Sequence, residues 1–338
     1  MDNLLIYGEN MTGLSFLLHE KGLKGKIDLV YIDPPFATGT NFTVSDNRFS
    51  TVSSSRTGQI AYTDKVTGKE FVEEIRKRCL LIKELLSEKG SIYLHTDYKI
   101  GHYLKVMMDE VFGIENFRND ITRIKCNPKN FDRIGYGNIK DMILFYSKTA
   151  RPIWNEPRWE YSERDLEKLF PKVDSQGRRY TTVPIHAPGE SANPQPFKGM
   201  MPPKGRHWRT DVSELEKLDK QGLIEWSSNG NPRKINYADE KNGKRVQDIW
   251  LDYKDPQYPL YPTEKNQDFI DMIIQTSSNT NSIVLDCYCG SGTTLKSASD
   301  NGRTWIGIDR SDVAIQSTRK KLDSQQTLFS TGYDYIEL

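Results

Sequence analysis

A nearly unbroken apolar run close to the N-terminus constrains the fold of this chain more than any other stretch. Residues 27–32 (IDLVYI) lead directly into Asp33, Pro34, Pro35 and Phe36. The run predicts a buried strand, and the prolines end it because neither has a backbone donor and each fixes its own φ. In open α/β sheets, ligands bind at the carboxyl ends of the strands. We therefore expect Asp33 and Phe36 to lie in a functional site at such an edge.

Hydrophobic periodicity places this strand in a repeating pattern. Before residue 150 it predicts strands at 4–7, 27–32, 90–97 and 141–148, and helices at 14–18, 69–89 and 100–113. After residue 263 it predicts helices at 264–278, 293–301 and 311–322, and strands at 282–286 and 303–309. Strands that alternate with helices indicate a parallel sheet covered by helices. The predicted fold class is α/β, with a mostly parallel, doubly wound, Rossmann-like sheet.

Composition narrows the class of protein. The net charge of +1 neither demands nor excludes a polyanionic partner. No apolar run approaches the roughly 20 residues of a membrane span, and the N-terminus lacks the basic flank and apolar core of a signal peptide. The cysteines form no C-x-x-C pair and no zinc pattern, which predicts a cytoplasmic protein with reduced thiols and no metal. They are Cys79, Cys126, Cys287 and Cys289.

The alternation of strands and helices fails between residues 151 and 245. This region holds four of the six tryptophans and 18 Lys and Arg against 14 Asp and Glu. Interleaved basic and aromatic residues are typical of a nucleic-acid surface, although composition alone equally allows a solvated insert of ordinary charge. The candidate nucleic-acid contacts are Lys204, Arg206, His207, Arg209, Arg233 and Lys234. The predicted domains are 1–150, the insert 151–245, 246–325 and a tail 326–338.

Two further features of the N-terminal part allow more than one interpretation. Residues 43–64 are rich in Ser and Thr and lack sustained periodicity, which predicts a long loop. Such loops are often lids or binding loops, and the alternative is a disordered insert. His95 follows a predicted strand, and we interpret it as a satisfied strand-end histidine. Cys79 lies on the apolar stripe of helix 69–89 and is interpreted as a core residue.

A glycine-rich turn near the C-terminus predicts a cofactor site. In residues 284–294 (VLDCYCGSGTT), a strand and Asp286 precede Gly290 and Gly292, which let the backbone approach a ligand closely before a helix begins. A second strand ends in Asp309, an acid placed to accept hydrogen bonds from a ribose diol. The spacing matches neither the G-x-G-x-x-G dinucleotide pattern nor a P-loop. We therefore predict a small cofactor that carries an adenosine group.

These two stretches together resemble the amino-group DNA methyltransferases. Asp33-Pro34-Pro35-Phe36 resembles their [DNS]-P-P-[FYW] signature, and LDCYCGSGTT resembles their D-P-F-x-G-S-G-T-T loop. The order, with the catalytic motif first and the cofactor loop last, is similar to the β class. Residues 261–265 (YPTEK) resemble the H-P-T-x-K-P element of that class. The stretches GHYLKVMMDEVFG, PPKGRHW and VQDIWLDY resemble one branch of bacterial site-specific, restriction–modification enzymes.

The resemblance implies a cofactor, S-adenosylmethionine, and assigns residues to it. Gly290, Gly292 and Thr293 would face its methionine end and Asp309 its ribose, while Asp286 would orient the loop and the amino group. The full set of implied cofactor contacts is Thr263, Lys265, Asp286, Cys287, Tyr288, Gly290, Ser291, Gly292, Thr293 and Asp309. The chain departs from the family at Cys287-Tyr288, where Pro-Phe is usual, and at Tyr261 and Asn266, where His and Pro are common.

The resemblance also implies a reaction. An exocyclic base amine is a poor nucleophile because its lone pair is delocalised into the ring. The Asp33 carboxylate and the Pro34 carbonyl would accept hydrogen bonds from this amine, and Phe36 would stack on a base flipped out of the duplex. Methylation of cytosine C5 needs a cysteine nucleophile, typically after proline, and none of the four cysteines follows a proline. Adenine N6 and cytosine N4 remain, and Asp rather than Ser at position 33 favours adenine.

Two other functions stay open at this point. D-P-P-type sites also serve other amines, so the substrate could be RNA or a protein glutamine, although the basic, aromatic insert favours DNA. A DNA-binding subunit that has lost catalysis is the alternative from a different class, and the intact Asp33, Gly290 and Gly292 argue against it. The implied partners are double-stranded DNA, a cognate restriction endonuclease and a second copy of the chain.

Overall fold

The chain forms two compact units. The computed structural model describes residues 2–35, 41–44, 59–63, 68–127, 132, 134–256, 265–323 and 332–338, with only the backbone at 41–44 and 59–63. Two residues predicted to be functional, Phe36 and Thr263, lie outside the described residues. The units are Met1–Pro157 with Gln247–Leu338, here called the sheet unit, and Arg158–Val246, here called the middle unit. No helix in the described ranges is long and apolar enough to cross a bilayer.

The helices and strands follow one another in three segments. The first contains β1 (Asn3–Tyr7), α1 (Asn10–His19), β2 (Ile27–Ile32), β3 (Asn41–Val44), β4 (Gln59–Thr63), α2 (Gly68–Leu85), β5 (Leu86–Thr96), α3 (Gly101–Phe112), β6 (Phe117–Ile124) and β7 (Lys140–Ser147). The middle unit contains β8 (Arg158–Trp159), α4 (Glu163–Leu169), β9 (Lys172–Val173), β10 (Arg179–Pro184), β11 (His186–Pro188), β12 (Arg206–Trp208), α5 (Val212–Lys220), β13 (Ile224–Trp226), β14 (Pro232–Tyr237) and β15 (Lys244–Arg245). The last segment contains β16 (Ile249–Trp250), α6 (Gln267–Ser277), β17 (Ile283–Asp286), α7 (Thr293–Asp300), β18 (Thr304–Asp309), α8 (Asp312–Asp323) and β19 (Tyr333–Glu337).

A nine-stranded sheet organises the sheet unit. Its order is β16-β6-β7-β5-β2-β17-β18-β1-β19. Strand β7 is antiparallel to its neighbours β5 and β6, and the other neighbouring pairs are parallel. The carboxyl ends of eight strands therefore meet at one edge. This arrangement confirms the predicted mostly parallel α/β fold.

The sheet is covered on both faces, as its composition requires. Val30 and Ile32 of β2 belong to a buried cluster shared with α1, α2 and α3. Tyr31 between them points to the other face, where its ring centroid lies 5.9 Å from that of Phe269 in α6. Burying each aliphatic side chain on such a face contributes roughly 1.5–3 kcal/mol. Cys79 is fully buried in the same cluster, which confirms its predicted core position.

The expected C-terminal tail contains the edge strand of the sheet. Strand β19 pairs in parallel with β1, and Leu5 lies opposite Tyr335. The segment YDYIE alternates short polar and apolar residues and most of it stays exposed, so it lacks the apolar run that marked the central strands. The predicted tail at 326–338 is therefore wrong for its last residues. The unit boundary at Arg158 also falls later than the predicted residue 151.

Other differences concern strands that the periodicity did not reveal. Helix α2 ends at Leu85 rather than near Gly90, because Leu86 already pairs with Ile27 as the first residue of β5. A Cβ at Gly90 would lie 2.9 Å from the Ile27 carbonyl oxygen, so this glycine permits close strand contact. Strands β6 and β16 were not predicted, and the ends of segment 43–64 form the antiparallel pair β3–β4. The rest of that segment and its predicted lid role lie outside the described residues.

The middle unit has its own small core. A four-stranded sheet has the order β13-β14-β10-β9, and β11 pairs with β12. The buried cluster between these strands and α5 is Ile185, Phe197, Trp208, Leu215, Leu218 and Ile224. Trp208 donates from Nε1 to the Gln195 carbonyl oxygen at 2.9 Å, which satisfies its only polar atom. This tryptophan is therefore a core residue and not part of an exposed stacking surface.

Candidate active site

Three carboxylates stand at the ends of three neighbouring strands. Asp33 follows β2, and Asp286 and Asp309 end β17 and β18. The register places Leu285 beside Val30 and Asp286 beside Gly307. Asp33 and Asp309 thus lie slightly beyond Asp286 on either side of it, with neighbouring strands about 4.8 Å apart. The sheet therefore brings the Asp-Pro-Pro motif and the glycine turn to one edge, although more than 250 residues separate them.

Asp33 has a cation as its direct partner. Lys265 Nζ lies 2.9 Å from Asp33 Oδ2, and both side chains are largely buried. Burial lowers the pKa of Lys265, but the carboxylates of Asp33, Asp255 and Asp141 outweigh this and raise it above its ordinary value. Lys265 immediately precedes Asn266, whose side chain caps α6 by accepting from the Phe269 amide at 3.1 Å. The departure from the family at Asn266 thus supplies a helix cap that fixes Lys265.

A buried histidine lies behind Asp33. His95 Nδ1 is 3.8 Å from Asp33 Oδ1 and 2.8 Å from Tyr31 Oη, while Nε2 lies 3.1 Å from Asp141 Oδ2. Burial, and then the charge of Lys265, lower the pKa of His95, against the opposing pull of Asp33 and Asp141. A neutral ring that donates from Nε2 to Asp141 and accepts at Nδ1 from Tyr31 satisfies all of these contacts. The interpretation of His95 as a satisfied strand-end residue agrees with this geometry.

Basic residues complete the buried layer beneath the edge. Lys125 Nζ lies 2.7 Å from Asp141 Oδ1, and Arg123 Nη1 lies 3.6 Å from Asp141 Oδ2. Arg123 also donates from Nε to the Tyr253 carbonyl oxygen at 2.8 Å and pairs with Asp255. Burial raises the pKa of Asp141, but His95 and the charges of Lys265 and Lys125 lower it overall. These residues hold the strands beside Asp33 in one polar network.

The glycine turn has a backbone that only small residues allow. Gly290 and Gly292 both have positive φ, at 50° and 77°. A Cβ at Gly292 would also lie 2.8 Å from Thr318 Oγ1, so a larger residue would strain the turn twice. Gly292 is the N-cap residue of α7, which begins at Thr293. The first amides of α7 therefore face the same edge as Asp33 and Asp286.

Side chains from α8 and β18 hold this turn in place. Asp309 accepts from the Gly290 amide with Oδ2 and from the Ser311 amide with Oδ1, both at 2.9 Å. Thr318 donates to the Gly290 carbonyl oxygen at 2.9 Å, and Lys321 donates to Thr293 Oγ1 at 3.1 Å. A carboxylate has about four acceptor positions, so Asp309 keeps capacity for a ligand hydroxyl. Burial raises the pKa of Asp309, against these amide contacts.

Asp286 is the most deeply buried of the three carboxylates. Its Oδ1 accepts from the Tyr288 amide at 2.9 Å. Burial raises the pKa of Asp286 to about 7, the negative charges of Asp33 and Asp309 add to the rise, and the Thr294 and Tyr288 hydrogen bonds oppose it. A positively charged ligand at this edge would stabilise the ionised form of Asp286 and lower that pKa.

The charge of this edge selects the kind of ligand it can hold. Three carboxylates share the edge, and only Asp33 has a cation in direct contact in the described geometry. A cationic ligand with hydrogen-bond donors fits such an edge, whereas the phosphates of a dinucleotide would be repelled. Among the described residues, no group of three or more His, Cys, Asp or Glu side chains is arranged to hold a metal ion.

The structure places the other predicted contacts of the turn in different surroundings. The Cys287 side chain is buried in the core cluster, and Tyr288 packs against that cluster. Cys289 and Ser291 are also buried, so the backbone of this turn, rather than its thiols, faces the edge. Lys265 was predicted from the resemblance to accompany the cofactor loop, but it contacts Asp33 instead.

The six candidate nucleic-acid contacts divide into two groups within the middle unit. Lys204, Arg206 and Arg209 are exposed beside or on β12, and the two arginines point toward His186, at 3.2 Å from its Nδ1 and carbonyl oxygen. His207 is half-buried on the same strand. Arg233 instead donates to Thr182 from Nε and Nη2 within the four-stranded sheet, at 2.9 and 2.7 Å. Its neighbour Lys234 is half-buried on β14.

Sequence reasoning missed most of the residues that support Asp33 and the glycine turn. The supporting residues are Tyr31, Arg123, Lys125, Asp141, Asp255, Thr318 and Lys321. Polar residues inside or at the ends of otherwise apolar strands were the available signal, for example Tyr31 in IDLVYI and Asp141 before MILFYS. Arg123 and Asp255 carried no signal because their partners are distant in sequence.

Comparison with known proteins gives one family and several relatives. The N6/N4 family model described as DNA methylase matches residues 27–320. The type II methyltransferase M.EcaI of Enterobacter cloacae is 39% identical over 328 residues, which cover 95% of this chain and 69% of that protein. The type II methyltransferase M1.MboII of Moraxella bovis is 53% identical over 68% of this chain and 70% of its own length. The chain spans 49% of the type III StyLTI Mod subunit of Salmonella typhimurium, at 24% identity over 86% of the chain.

Solved structures share the fold. The DNA modification methylase TTHA0409 of Thermus thermophilus, complexed with S-adenosylmethionine, aligns over 99% of this chain and 98% of its own, with a TM-score of 0.52 at 13% identity. The cytosine-N4-specific PvuII DNA methyltransferase aligns over 100% of this chain and 95% of its own, with a TM-score of 0.50 at 13% identity. At these identities the likeness concerns the fold alone.

Proposed function

The chain belongs to the N6/N4 DNA methylase family, and we propose that it transfers a methyl group from S-adenosylmethionine to the N6 amine of adenine in DNA. One observation carries this proposal. The Asp33-Pro34 motif and the glycine turn at Gly290–Gly292 stand at the ends of neighbouring strands, so an amine acceptor and a cofactor loop share one edge. Similarity to the type II methyltransferases M.EcaI and M1.MboII supports a role in restriction–modification.

The residues at the edge fit the proposed cofactor. When bound, S-adenosylmethionine supplies an electrophilic methyl group on a positively charged sulfur, and it also carries an ammonium group. The carboxylates of Asp286 and Asp309 complement these charges. Gly292 leaves space where any Cβ would meet Thr318, and the amides at the start of α7 can bind a carboxylate. Asp309 ends its strand in the position from which it can accept from a ribose hydroxyl.

Asp33 and Pro34 are the proposed activators of the amine. A carboxylate oxygen and a carbonyl oxygen would accept hydrogen bonds from the two amine hydrogens, which localises the nitrogen lone pair for attack on the methyl carbon. Pro34 holds its own carbonyl in one direction because its φ is fixed. After transfer the amine carries one proton too many, and Asp33 is placed to receive it. Rate enhancement would come from positioning and electrostatics, with no covalent enzyme intermediate.

The choice of base is the finer part of the proposal. Asp at position 33 favours adenine within the family pattern. The PvuII enzyme shares the fold and is cytosine-N4-specific, so cytosine N4 is the alternative. In either case the base must leave the duplex to reach Asp33. Phe36, which lies outside the described residues, is the proposed stacking partner for that base.

The middle unit is the proposed target-recognition region. Its exposed Lys204, Arg206 and Arg209 lie together beside β12 and suit contacts to phosphate or to base edges. Arg233 is engaged with Thr182 and would support the sheet. The proposed partners are double-stranded DNA, a cognate restriction endonuclease and a second copy of the chain. A DNA substrate and the free cysteines Cys79, Cys126, Cys287 and Cys289 support the predicted cytoplasmic location.

Transfer of a labelled methyl group tests the function. Purified protein, labelled S-adenosylmethionine and unmethylated double-stranded DNA should give labelled DNA, and digestion to nucleosides should release N6-methyladenine. Release of N4-methylcytosine would replace adenine with cytosine and keep the rest of the proposal. Label in RNA or protein but not in DNA would overturn it. Calorimetry that detects no binding of S-adenosylmethionine would point to a non-catalytic DNA-binding subunit.

A further inference from the structure

The loop between β6 and β7, residues 125–139, extends from the same edge as Asp33. The register aligns Ile32 with Leu94 of β5, Leu94 with Leu144 of β7, and Leu144 with Asp120 of β6. Strand β6 continues four residues past that level, to Ile124. At about 3.3 Å per residue and 4.8 Å between strands, the loop begins roughly 13 Å farther along and roughly 10–14 Å to the side. It therefore stands beside the entrance to Asp33.

The base of this loop is fixed and its tip is open. Lys125 donates from its amide to the Ile139 carbonyl oxygen at 2.9 Å, and its own carbonyl accepts from the Asp255 amide at 3.0 Å. Lys254 Nζ lies 2.8 Å from Asn127 Oδ1. At the tip, Ile134 and Tyr136 are 106% and 98% exposed, the two highest values among the exposed large apolar residues.

The composition of the loop matches a polyanion. The sequence KCNPKNFDRIGYGNI contains three Lys and Arg against one Asp, and Lys140 follows it. Basic residues beside fully exposed apolar and aromatic side chains are the combination that proteins use when they insert a wedge between base pairs. Ile134 and Tyr136 have no apolar neighbours that would explain their exposure as part of a core cluster in the described residues.

We propose that the β6–β7 loop is a DNA-contacting element of the sheet unit, and that Ile134 and Tyr136 enter the duplex beside the flipped base. This inference rests on the proposed function and adds a second DNA contact to the middle unit. The side chains would occupy the stacking space that the target base vacates, which shifts the base toward Asp33. The proposed gain is in extrusion of the base, not in the methyl-transfer step.

The test compares paired and mismatched substrates. Ile134→Ser and Tyr136→Ser are assayed on a duplex oligonucleotide containing the site that the wild-type protein methylates, and on the same duplex with a mismatch opposite the target base. On the paired duplex we expect kcat/KM to fall about ten- to a hundredfold, the range expected for loss of a base-stacking side chain. On the mismatched duplex, where the base is already unpaired, the loss should shrink to about threefold or less.

Ile114→Ser is the matched control. Ile114 is also highly exposed, at 71%, but it precedes β6 and so lies at the opposite edge of the sheet. This variant should keep the wild-type kcat/KM on both substrates. Wild-type rates in the two loop variants, or equal losses on both substrates, would overturn the inference.

Two further outcomes separate this inference from its alternatives. If sedimentation shows that Ile134→Ser changes the oligomeric state while the ratio between the two substrates is unchanged, the loop contacts a second copy of the chain and the inference is wrong. If the wild-type protein transfers no methyl group to DNA, the proposed function fails and the inference fails with it. Activity of the wild type together with unaffected loop variants would overturn the inference alone.

Discussion

Asp33 and Asp286 end neighbouring parallel strands but have opposite electrostatic surroundings. Asp33 is 18% exposed and has the Lys265 ammonium 2.9 Å away. Asp286 is 3% exposed, and its neighbours are a hydroxyl, a backbone amide and the carboxylates of Asp33 and Asp309. Burial and those charges raise the pKa of Asp286 to about 7.

This difference separates two roles at one edge. A carboxylate with its own cation can accept a hydrogen bond from a neutral group, such as an amine, without a change in its charge balance. A buried carboxylate without a cationic partner becomes favourable only when a positive ligand arrives. The contrast therefore assigns Asp33 to the substrate amine and Asp286 to a cationic cofactor. The following predictions test this assignment, from the largest expected effect to the smallest.

Removal of Asp33 should stop the reaction and spare cofactor binding. We expect Asp33→Ala to lower kcat for methyl transfer to DNA by about 10²- to 10³-fold, because a pre-organised electrostatic contact to the reacting group is lost. The affinity for S-adenosylmethionine, measured by calorimetry, should change less than about threefold. Asp334→Ala, which removes an exposed carboxylate on β19, is the control and should behave as wild type. Near-normal activity of Asp33→Ala would exclude its proposed role.

Removal of the Asp286 charge should act on the cofactor instead. A group with a pKa of about 7 in the free protein is about one tenth ionised at pH 6 and nine tenths ionised at pH 8. If a cationic ligand lowers that pKa, binding releases a proton and affinity should rise about tenfold from pH 6 to pH 8. Calorimetry on Asp286→Asn in the same buffers gives the titration of the ligand itself. The difference between the two series measures Asp286, and no difference would contradict the assignment.

Asp286 should also oppose folding at high pH. Because its folded pKa is raised above the ordinary value of 3.8, the neutral form is favoured in the folded state. Its contribution to stability is therefore full at low pH and is lost as pH rises through about 7. Thermal denaturation should show that Asp286→Asn gains stability relative to wild type at pH 8 compared with pH 5. An unchanged difference between the two proteins across this range would argue against burial as the cause.

Lys265 distinguishes the predicted cofactor role from the observed contact with Asp33. We expect Lys265→Met to lower kcat about tenfold, because the Asp33 carboxylate loses its positioning partner. The KM for S-adenosylmethionine should change less than about threefold. Lys265→Arg keeps a cation and should recover part of the rate. A large rise in this KM with an unchanged kcat would instead support the cofactor contact that the resemblance implied.

The basic residues of the middle unit should show the smallest effects, and these should differ in kind. Arg206→Ala or Arg209→Ala should weaken DNA binding a few-fold, and should reduce the slope of log affinity against log salt by about one for each lost phosphate contact. Arg233→Ala should instead lower the free energy of unfolding by about 1 kcal/mol, because its hydrogen bonds to Thr182 are lost. Fluorescence anisotropy and thermal denaturation separate the two outcomes. Equal salt slopes for all three variants and wild type would contradict the exposed-contact role.

The sequence was most informative where one local rule decided the structure. The run IDLVYI ends at Ile32 as predicted, because two prolines cannot continue the ladder. Gly290 and Gly292 adopt the positive φ that the turn requires. The weakly apolar β19 and the two-residue β16 escaped prediction because strands this short or this exposed carry little periodic signal.

The network behind Asp33 could not be predicted because its members meet only after folding. His95, Arg123 and Asp141 come from three different strands, and Lys265 comes from the start of α6. Single-residue patterns do not identify which buried charges will be paired, since pairing depends on sheet order and register. Lys265 shows the cost of relying on a motif alone, because its position in the element did not reveal its partner.

The sequence by itself determined the alternating α/β elements, the strand ends at Asp33, Asp286 and Asp309, and the glycine turn, because each follows from local propensity or backbone sterics. Only the tertiary structure decided which carboxylate received a cation. Sheet order placed β2 beside both β5 and β17, and the start of α6 placed Lys265 on Asp33. Electrostatic energies depend on distance and burial, and these are properties of the folded chain rather than of the residues that compose it.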